Sequence, residues 1–383
     1  MNLVIFIGHH KVGSSSLQAF LSSNYSRLRR AGILYPMIER PKTRSMLFAA
    51  GSANSVTPFV SQIPLNTREP HNALALRLIR EFRGNKKAIP FHPDVPSSEE
   101  ILEIIRFQIR ESSPHTMVLC SEVFSTFADV SIELVEWLKH SFPASNVRIV
   151  CTLRRIDDYL CSWHGQRLRF GHEVKPLRKT GIRRFQGSVH FNYRKLLKAW
   201  LKVFPDAEFA IRNYSDVLAN GGSIPDFITQ SGLNFPPNLP VEKNINTSIP
   251  RCFYELCRVA NFELEPVMAR SLREQIETLA PSLAYPENKR VELFGQANRQ
   301  LIYERFEPFH AFLNRRTGYT VFFPDQEEVL LTREIPEKSA SMDAARLLLP
   351  LLNSSIGTRE IIDFVGDFEQ GTYWDKEATV NSP

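Results

Sequence analysis

The feature that most constrains the fold lies at the start of the chain, which reads MNLVIFIGHHKVGSSSLQAFL. The apolar run Leu3–Ile7 has the length of a buried strand and is too short to cross a membrane or to form the core of a signal sequence. From Ser16 onward, the apolar positions recur at helical spacing. A strand, a turn between Gly8 and Gly13, and a helix bring backbone N–H groups and a helix N-terminus to one point. The sequence therefore predicts an anion-binding loop.

This loop differs from the loop of nucleoside triphosphatases, which reads G-x-x-x-x-G-K-[ST]. Gly8 and Gly13 keep the glycine spacing, but Ser14 stands where that motif has its lysine. The lysine of this loop, Lys11, comes before the second glycine. At that place it can neutralise a charged leaving group, but it is poorly placed for metal-bridged γ-phosphate chemistry. An alternative interpretation is a basic strand-to-helix turn in which the serines serve as helix N-caps.

Composition limits the class of protein. The chain has 383 residues, of which 43% are hydrophobic, and this suffices for one large core or two ordinary ones. The net charge of +6 suits an anionic ligand, and we expect no nucleic-acid partner. The five cysteines lack C-x-x-C spacing and predict buried free thiols, with no zinc site and no disulfide framework. Without a targeting segment or a long apolar run, the sequence predicts a cytoplasmic protein that has no transmembrane segment.

Apolar segments alternate with helical patterns over the first two thirds of the chain. After the N-terminal strand, the predicted strands are Met117–Cys120, Val147–Leu153 and Glu208–Arg212, and the predicted helices are Asn72–Phe82, Ser97 or Ser98 to Ile109, Ile132–Phe142, Asp157–Leu168 and Asn192–Phe204. This alternation predicts an α/β fold with a parallel sheet flanked by helices. From about Ser248 the pattern is mainly helical. We predict one α/β domain over residues 1–324 and a C-terminal tail, residues 325–383, of unknown role.

Polar side chains follow two further predicted strands. In a parallel α/β sheet, ligands bind at the carboxyl ends of the strands. Glu122 comes just after the strand that ends at Cys120, and Arg154 comes just after the next predicted strand, with Ser162 eight residues later on a predicted helix. An arginine and a serine at this spacing can hold one phosphate, through the guanidinium fork and the hydroxyl. The alternatives are a solvated pair of arginines, Arg154 and Arg155, and a surface turn residue at Glu122.

Taken together, these segments resemble the sulfotransferase superfamily, in particular its bacterial carbohydrate-type branch, which has a P-loop-like fold. The resemblance is carried by IGHHKVGSSSLQ with AGILYP after it, by Arg154 and Ser162 behind their strand, and by LCSEVFS and NINTSIP. It covers about Asn2–Phe323 and is weakest between Met37 and Pro96. It implies an enzyme that transfers the sulfuryl group of 3′-phosphoadenosine 5′-phosphosulfate to a hydroxyl of a carbohydrate, either a polysaccharide or a glycolipid, without a metal ion.

The resemblance also implies how the donor is held. The loop and the start of the following helix would bind the 5′-phosphate, and Lys11 would neutralise charge on the bridging oxygen. Arg154 and Ser162 would bind the 3′-phosphate, which distinguishes this donor from ATP. The donor-binding residues implied in this way are Lys11, Val12, Gly13, Ser14, Ser15, Ser16, Arg154 and Ser162.

A general base must take the proton of the acceptor hydroxyl. Carbohydrate sulfotransferases commonly use a glutamate for this step and the small-molecule branch uses a histidine, so Glu122 is the first candidate and His9 and His10 are the alternatives. His10 directly precedes Lys11 and is also a candidate for orienting the phosphosulfate. For Glu122 to act as a base near neutral pH, partial desolvation must raise its pKa.

A basic run from Arg167 to Arg184 contains seven Lys or Arg residues and a single acid, Glu173. It predicts either a solvated basic loop or an arm that binds an anionic glycan acceptor. Two functions of other classes stay open on the residues alone. One is a nucleotide kinase or NTPase with an atypical phosphate loop, and the other is a non-catalytic protein that binds polyanions.

Overall fold

The computed structural model describes residues 1–39, 64–85, 89, 91–241, 248–355 and 358–374. These residues divide into two compact units. The described residues of the first unit fall within Met1–Arg155, Gly187–Asn246 and Phe309–Phe323, and those of the second within Ile156–Gln186, Thr247–Pro308 and Pro324–Pro383. The N-terminal loop and the exits of the predicted strands belong to the first unit, while the basic run and the predicted tail belong to the second.

A five-stranded parallel sheet forms the centre of the first unit. Its strands in chain order are β1 (Asn2–Phe6), β2 (Ile33–Leu34), β3 (Thr116–Cys120), β4 (Val147–Leu153) and β5 (Glu208–Asn213). Their order across the sheet is β2-β3-β1-β4-β5, and every pairing is parallel. Strands β1 and β3 are apolar and almost wholly buried, as is typical of central strands covered on both faces. The prediction of an α/β fold with a parallel sheet flanked by helices is therefore confirmed.

Helices connect these strands, and the structure confirms each helix that the sequence predicts for this unit. Numbered along the whole chain, they are α1 (Ser14–Ser23), α2 (Tyr25–Arg30), α3 (Leu65–Arg68), α4 (Pro70–Phe82), α5 (Ser98–Ser112), α6 (Phe127–Val130), α7 (Glu133–Ser141), α9 (Tyr193–Val203), α10 (Tyr214–Ala219) and α11 (Ser223–Ser231). Local chemistry fixes their starts. The Ser97 hydroxyl accepts from the Glu100 N–H and the Glu100 carboxylate accepts from the Ser97 N–H, which forms a capping box at α5.

The chain reverses its direction across the sheet next to β1. The connection after β1 leads outward to β2, whereas β4 pairs with the other edge of β1 and leads outward to β5. In open α/β sheets, ligands bind at the carboxyl ends of two neighbouring strands whose connections diverge in this way. Phe6 of β1 is level with Cys120 of β3 and Val150 of β4, so the three strands present their ends at one edge. The topology therefore marks the ends of β1 and β4 as a ligand position.

The second unit is mainly helical, which confirms the prediction for the C-terminal part. Its elements are α8 (Ile156–Arg169), α12 (Tyr254–Glu263), α13 (Pro266–Leu279), α14 (Gln296–Thr317, residues 309–317 counting with the first unit), α15 (Glu337–Ser355), α16 (Arg359–Glu369) and the paired strands β6 (Val291–Glu292) and β7 (Ile335–Pro336). Buried Arg299 donates to Glu292 (2.8 Å) and lies 3.7 Å from Asp157 in the first turn of α8. In the described part of the chain, no helix has both the length and the apolar character needed to cross a bilayer. All five cysteines are free and buried, as predicted.

We expect Gly13→Ala to destabilise the first unit more than a positive φ alone would. Gly13 has φ +84°, and an added Cβ would lie 2.6 Å from the Ser223 hydroxyl oxygen, which itself donates to the Gly13 carbonyl at 2.9 Å. A left-handed alanine costs about 1–2 kcal/mol, and overpacking adds about 1–3 kcal/mol. Gly84 provides the matched control, because it has φ +64° with no atom within 4 Å of an added Cβ. Equal losses of unfolding free energy for Gly13→Ala and Gly84→Ala, measured by urea denaturation, would contradict this account.

Candidate functional site

The loop between β1 and α1 is shaped to receive an anion. Lys11 and Gly13 both have left-handed backbone conformations, with φ +63° and +84°. Gly13 is the N-cap residue of α1 and has no side chain with which to satisfy the first N–H groups of the helix. Those N–H groups carry the positive end of the helix dipole, and they suit a phosphate or a sulfate. Ser15 and Ser16 are partly exposed in the first turn of α1, while Ser14 is buried.

Arg154 follows β4 and is held against this loop. Its backbone N–H donates to Nδ1 of His9 (3.4 Å), and its carbonyl accepts from the Tyr193 hydroxyl (2.7 Å). The guanidinium lies over the ring of Tyr214, 5.2 Å from the centroid, and its Nη1 donates to the Lys11 carbonyl at 3.3 Å. The structure therefore brings together two of the cations that the sequence predicted for the donor site.

His9 joins the loop to the carboxyl end of β4 through hydrogen bonds. Its backbone N–H donates to the Thr152 carbonyl at 2.9 Å, and its ring meets Tyr193 edge to face at 4.4 Å between centroids. Burial, together with nearby His190 and His10, holds the pKa of His9 well below its ordinary value, so the ring is neutral. A neutral Nδ1 that accepts from the Arg154 N–H gives His9 a structural part in the site.

Glu122 lies just past β3, beside the same loop, and is buried. Gln18 Nε2 donates to its Oε2 at 3.0 Å, and Asn72 Nδ2 donates to its Oε1 at 3.2 Å. Nδ1 of His10 is 3.8 Å from the same Oε1. The surface-turn interpretation of Glu122 is therefore wrong, because this carboxylate is enclosed by polar donors from α1 and α4.

The protonation of these groups follows from their surroundings. Burial raises the pKa of the Glu122 carboxyl, and hydrogen bonds from its own backbone N–H, Ser14, Asn72 and Gln18 act in the opposite direction. The net direction is the one that a general base near neutral pH requires. Burial, and secondarily the charge of Lys11, lowers the pKa of His10 to about 4. At pH 7 the His10 imidazole is therefore neutral.

Ser162 and the basic run lie in the second unit. Ser162 is partly exposed on α8, whereas Arg154 belongs to the first unit, so the binding of one phosphate by both residues stays a prediction from spacing. Within the basic run, Arg169 donates to Glu277 at 2.6 Å and Arg178 to Glu255 at 2.9 Å. These two arginines stabilise the second unit, and part of the positive charge of the run is thereby neutralised.

Sequence reasoning missed three groups around Glu122: Gln18, Asn72 and Glu69. Gln18 is four residues after Ser14 on α1, so helical spacing would have found it once Ser14 was placed. Asn72 and Glu69 lie at the start of α4, in the segment where the resemblance is weakest. In the described ranges of the chain, no group of three His, Cys, Asp or Glu residues is arranged to hold a metal ion.

A scan against protein-family models, a search of curated proteins and a search of solved structures found no match to this chain. The chemistry of the site residues themselves is therefore what points to a function.

We expect the His10 imidazole to titrate near pH 4, and Lys11→Met to raise that pKa without restoring 6.5, because burial is the larger cause. The unfolded chain binds this proton more readily, so His10 contributes stability above pH 6.5 that is lost as the pH falls toward 4. Histidine side-chain NMR measures the midpoint. Lys195→Met, which removes a lysine paired with Asp129 at 2.7 Å, is the control and should leave the His10 midpoint unchanged. An unchanged His10 midpoint in Lys11→Met would contradict the contribution of the Lys11 charge to the lowered pKa.

Proposed function

We propose that this protein is a sulfotransferase with a P-loop-like fold that moves the sulfuryl group of 3′-phosphoadenosine 5′-phosphosulfate to a carbohydrate hydroxyl. The observation that carries the proposal is a convergence at the carboxyl edge of the sheet. An anion-binding loop with Lys11, the guanidinium of Arg154 and the buried carboxylate of Glu122 follow three adjacent strands. Such a donor requires an anion-binding loop and a second cation to bind its two phosphate groups, and the acceptor hydroxyl requires a base.

The residues present fit the donor. The first N–H groups of α1 and the hydroxyls of Ser15 and Ser16 suit the 5′-phosphate. The guanidinium of Arg154 suits the 3′-phosphate, since a planar fork binds a phosphate through two nitrogens. Ser162 is the second residue that we assign to the 3′-phosphate, on sequence spacing. Buried Ser14 hydrogen-bonds to Glu122, so its hydroxyl connects the anion-binding loop to the proposed base.

In the reaction, the donor supplies an SO₃ unit that is transferred in line from a phosphate to the acceptor oxygen. Lys11 neutralises the negative charge that develops on the bridging oxygen as the S–O bond breaks. Glu122 accepts the proton of the acceptor hydroxyl as the new O–S bond forms. The hydrogen bonds from Gln18 and Asn72 hold the carboxylate in one orientation. His10, neutral beside Lys11, is placed to orient the transferred group.

The loop favours sulfuryl transfer over triphosphate chemistry. Ser14 stands at the position where an NTPase loop has its phosphate-binding lysine, and Lys11 lies inside the loop instead. The carbohydrate acceptor and the cytoplasm as compartment are part of the proposal, and the five free cysteines agree with a reducing compartment. Hydrolysis of ATP that depends on magnesium, without any sulfate transfer, would instead favour the kinase or NTPase alternative.

We expect adenosine 3′,5′-bisphosphate to raise the melting temperature far more than AMP or ADP does at the same concentration. A ligand that binds only the native state stabilises it by mass action, and only the bisphosphate engages Arg154 through a 3′-phosphate. Arg154→Ala should abolish the difference among the three nucleotides, since a charge-assisted hydrogen bond contributes about 1.5–3 kcal/mol. Thermal-shift assays with the three ligands measure this.

Comparing nucleotides within each variant separates the loss of the phosphate contact from the loss of packing against Tyr214. Arg106→Ala is the matched control, because that arginine is exposed on α5 and pairs only with Glu103 among the ion pairs described. It should keep the full preference. Ser162→Ala tests the second proposed ligand in the same assay. Equal shifts for all three nucleotides in the unaltered protein would refute the 3′-phosphate assignment.

We expect Glu122→Gln to lower the turnover of sulfate transfer by about 10²–10⁴-fold, the usual contribution of a general base. Glutamine keeps the size and polarity of the side chain but cannot take the proton. Transfer of labelled sulfate onto a panel of glycans measures turnover, and the shift with adenosine 3′,5′-bisphosphate checks that the donor site is intact. Near-normal turnover in Glu122→Gln together with a large loss in His10→Ala would assign the base to the loop histidine.

A further inference from the structure

A second carboxylate lies beside the Glu122 base. Glu69 is buried between α3 and α4, at the N-cap of α4. Nδ2 of Asn72, in the first turn of that helix, donates to Glu69 Oε2 at 3.0 Å and to Glu122 Oε1 at 3.2 Å. One amide nitrogen thus bridges an oxygen of each carboxylate, and each of its two hydrogens has an acceptor.

The orientation of this amide is fixed by its other end. Oδ1 of Asn72 accepts from the Ser121 hydroxyl at 2.6 Å, and the same Ser121 oxygen accepts from the Val123 N–H at 3.0 Å. With the Ser121 hydroxyl as donor to Asn72, the oxygen of the amide faces Ser121 and the NH₂ group faces the two carboxylates. A flipped amide would direct an oxygen at both acidic groups, which is unfavourable while either is ionised.

A positive charge meets the pair from Arg68, whose Nη2 lies 3.3 Å from Glu69 Oε1. Around Glu122, the neighbours from α1 and the loop are neutral Gln18, Ser14 and the His10 ring, and the charge of Lys11 acts on that ring.

Two further titratable groups, Tyr35 and Cys120, interact with both carboxylates. Burial raises the pKa of each well above its ordinary value, so both stay uncharged near neutral pH. Among the described residues, the cluster thus holds two buried carboxylates, of which Glu69 pairs with Arg68.

The two carboxyl groups do not ionise alike. Burial, and then the charge of Glu122, raises the pKa of Glu69 to about 7, although Arg68 and Asn72 favour its ionised form. For Glu122, the donors from α1 and α4 oppose the effect of burial. Below about pH 7, Glu69 thus holds a proton, and the charge of Glu122 is one cause of this.

We propose that Glu69 is a positioning residue of the base, which forms with Glu122 and Asn72 a carboxylate pair that binds protons as one unit and makes Glu122 a stronger base once both groups are ionised. This inference rests on the proposed function. In the transfer step, the acceptor O–H bond breaks, its proton goes to Glu122, the O–S bond forms and the phosphate leaves. A negative Glu69 raises the proton affinity of Glu122 and so increases the driving force of that proton transfer.

Direct titration tests the pair without reference to activity. With glutamate labelled at the side-chain carboxyl carbon, NMR should show Glu122 responding to two ionisations, the upper one near pH 7. Glu69→Gln should remove the upper step from the Glu122 signal. A Glu122 signal with one ordinary step in the unaltered protein would overturn the pair. If the coupled titration is present but no sulfate is transferred, the pair stands and the proposed function fails.

The pH dependence of turnover tests the catalytic part. Below pH 6, Glu69 is protonated and resembles glutamine, so the unaltered protein and Glu69→Gln should turn over at the same rate. By pH 8, the variant should be slower by roughly three- to tenfold, a part of the 10²–10⁴-fold that a general base contributes. A purely structural contribution of Glu69 would reduce turnover by the same factor at every pH, and that result would overturn the proposal.

Arg68→Met gives an independent test that leaves both carboxylates in place. Removing the positive charge 3.3 Å from Glu69 should move the upper ionisation to higher pH in both the NMR titration and the turnover profile. Glu103→Gln is the matched control, because Glu103 is exposed on α5 and pairs with Arg106 at 2.8 Å. It should leave both profiles unchanged. An upper ionisation unmoved by Arg68→Met would refute the pair even if Glu69→Gln failed to fold.

Discussion

The hydrogen bonds that join the β1 loop to the exit of β4 are the contacts on which the candidate site depends. The N–H of His9 donates to Thr152, and the N–H of Arg154 donates back to the His9 ring. These two bonds couple the position of the loop that carries Lys11 to the position of Arg154 at the end of β4. A shift of either strand would move apart two residues with like-charged side chains, and an anion bound at the loop would interact favourably with both charges.

The fold was largely predictable because the strands are short, continuous apolar runs and the helices have clear starts. The run Leu3–Ile7 and the strand at Val147–Leu153 admit no other buried structure once Gly8 and Arg154 end them. What the sequence could not reveal was the division into two units, which follows from contacts distant in sequence, such as Arg299 with Asp157. The first-turn acids of α8, Asp157 and Asp158, likewise pair with arginines about a hundred or more positions later in the chain.

The candidate site was predictable in part for a similar reason. Lys11, Glu122 and Arg154 could be found because each lies in the segment that follows a strand, and parallel strands end at one edge. Glu69, Asn72 and Tyr193 do not follow a strand of the sheet, so only the folded chain brings them to that edge. Burial of Glu122 was likewise beyond the sequence, since it depends on α4 packing over the end of β3.

The Asn72 bridge has a consequence for the turnover cycle. An amide N–H is not acidic near neutral pH, so Asn72 transmits the electrostatic influence of one carboxylate to the other but conducts no proton between them. In the proposed transfer, Glu122 would be left protonated while buried, next to the neutral imidazole of His10 at 3.8 Å. The base would then be regenerated by a separate proton release toward the loop and the solvent. That release would be a kinetic step of its own, sensitive to solvent deuterium and to buffer concentration.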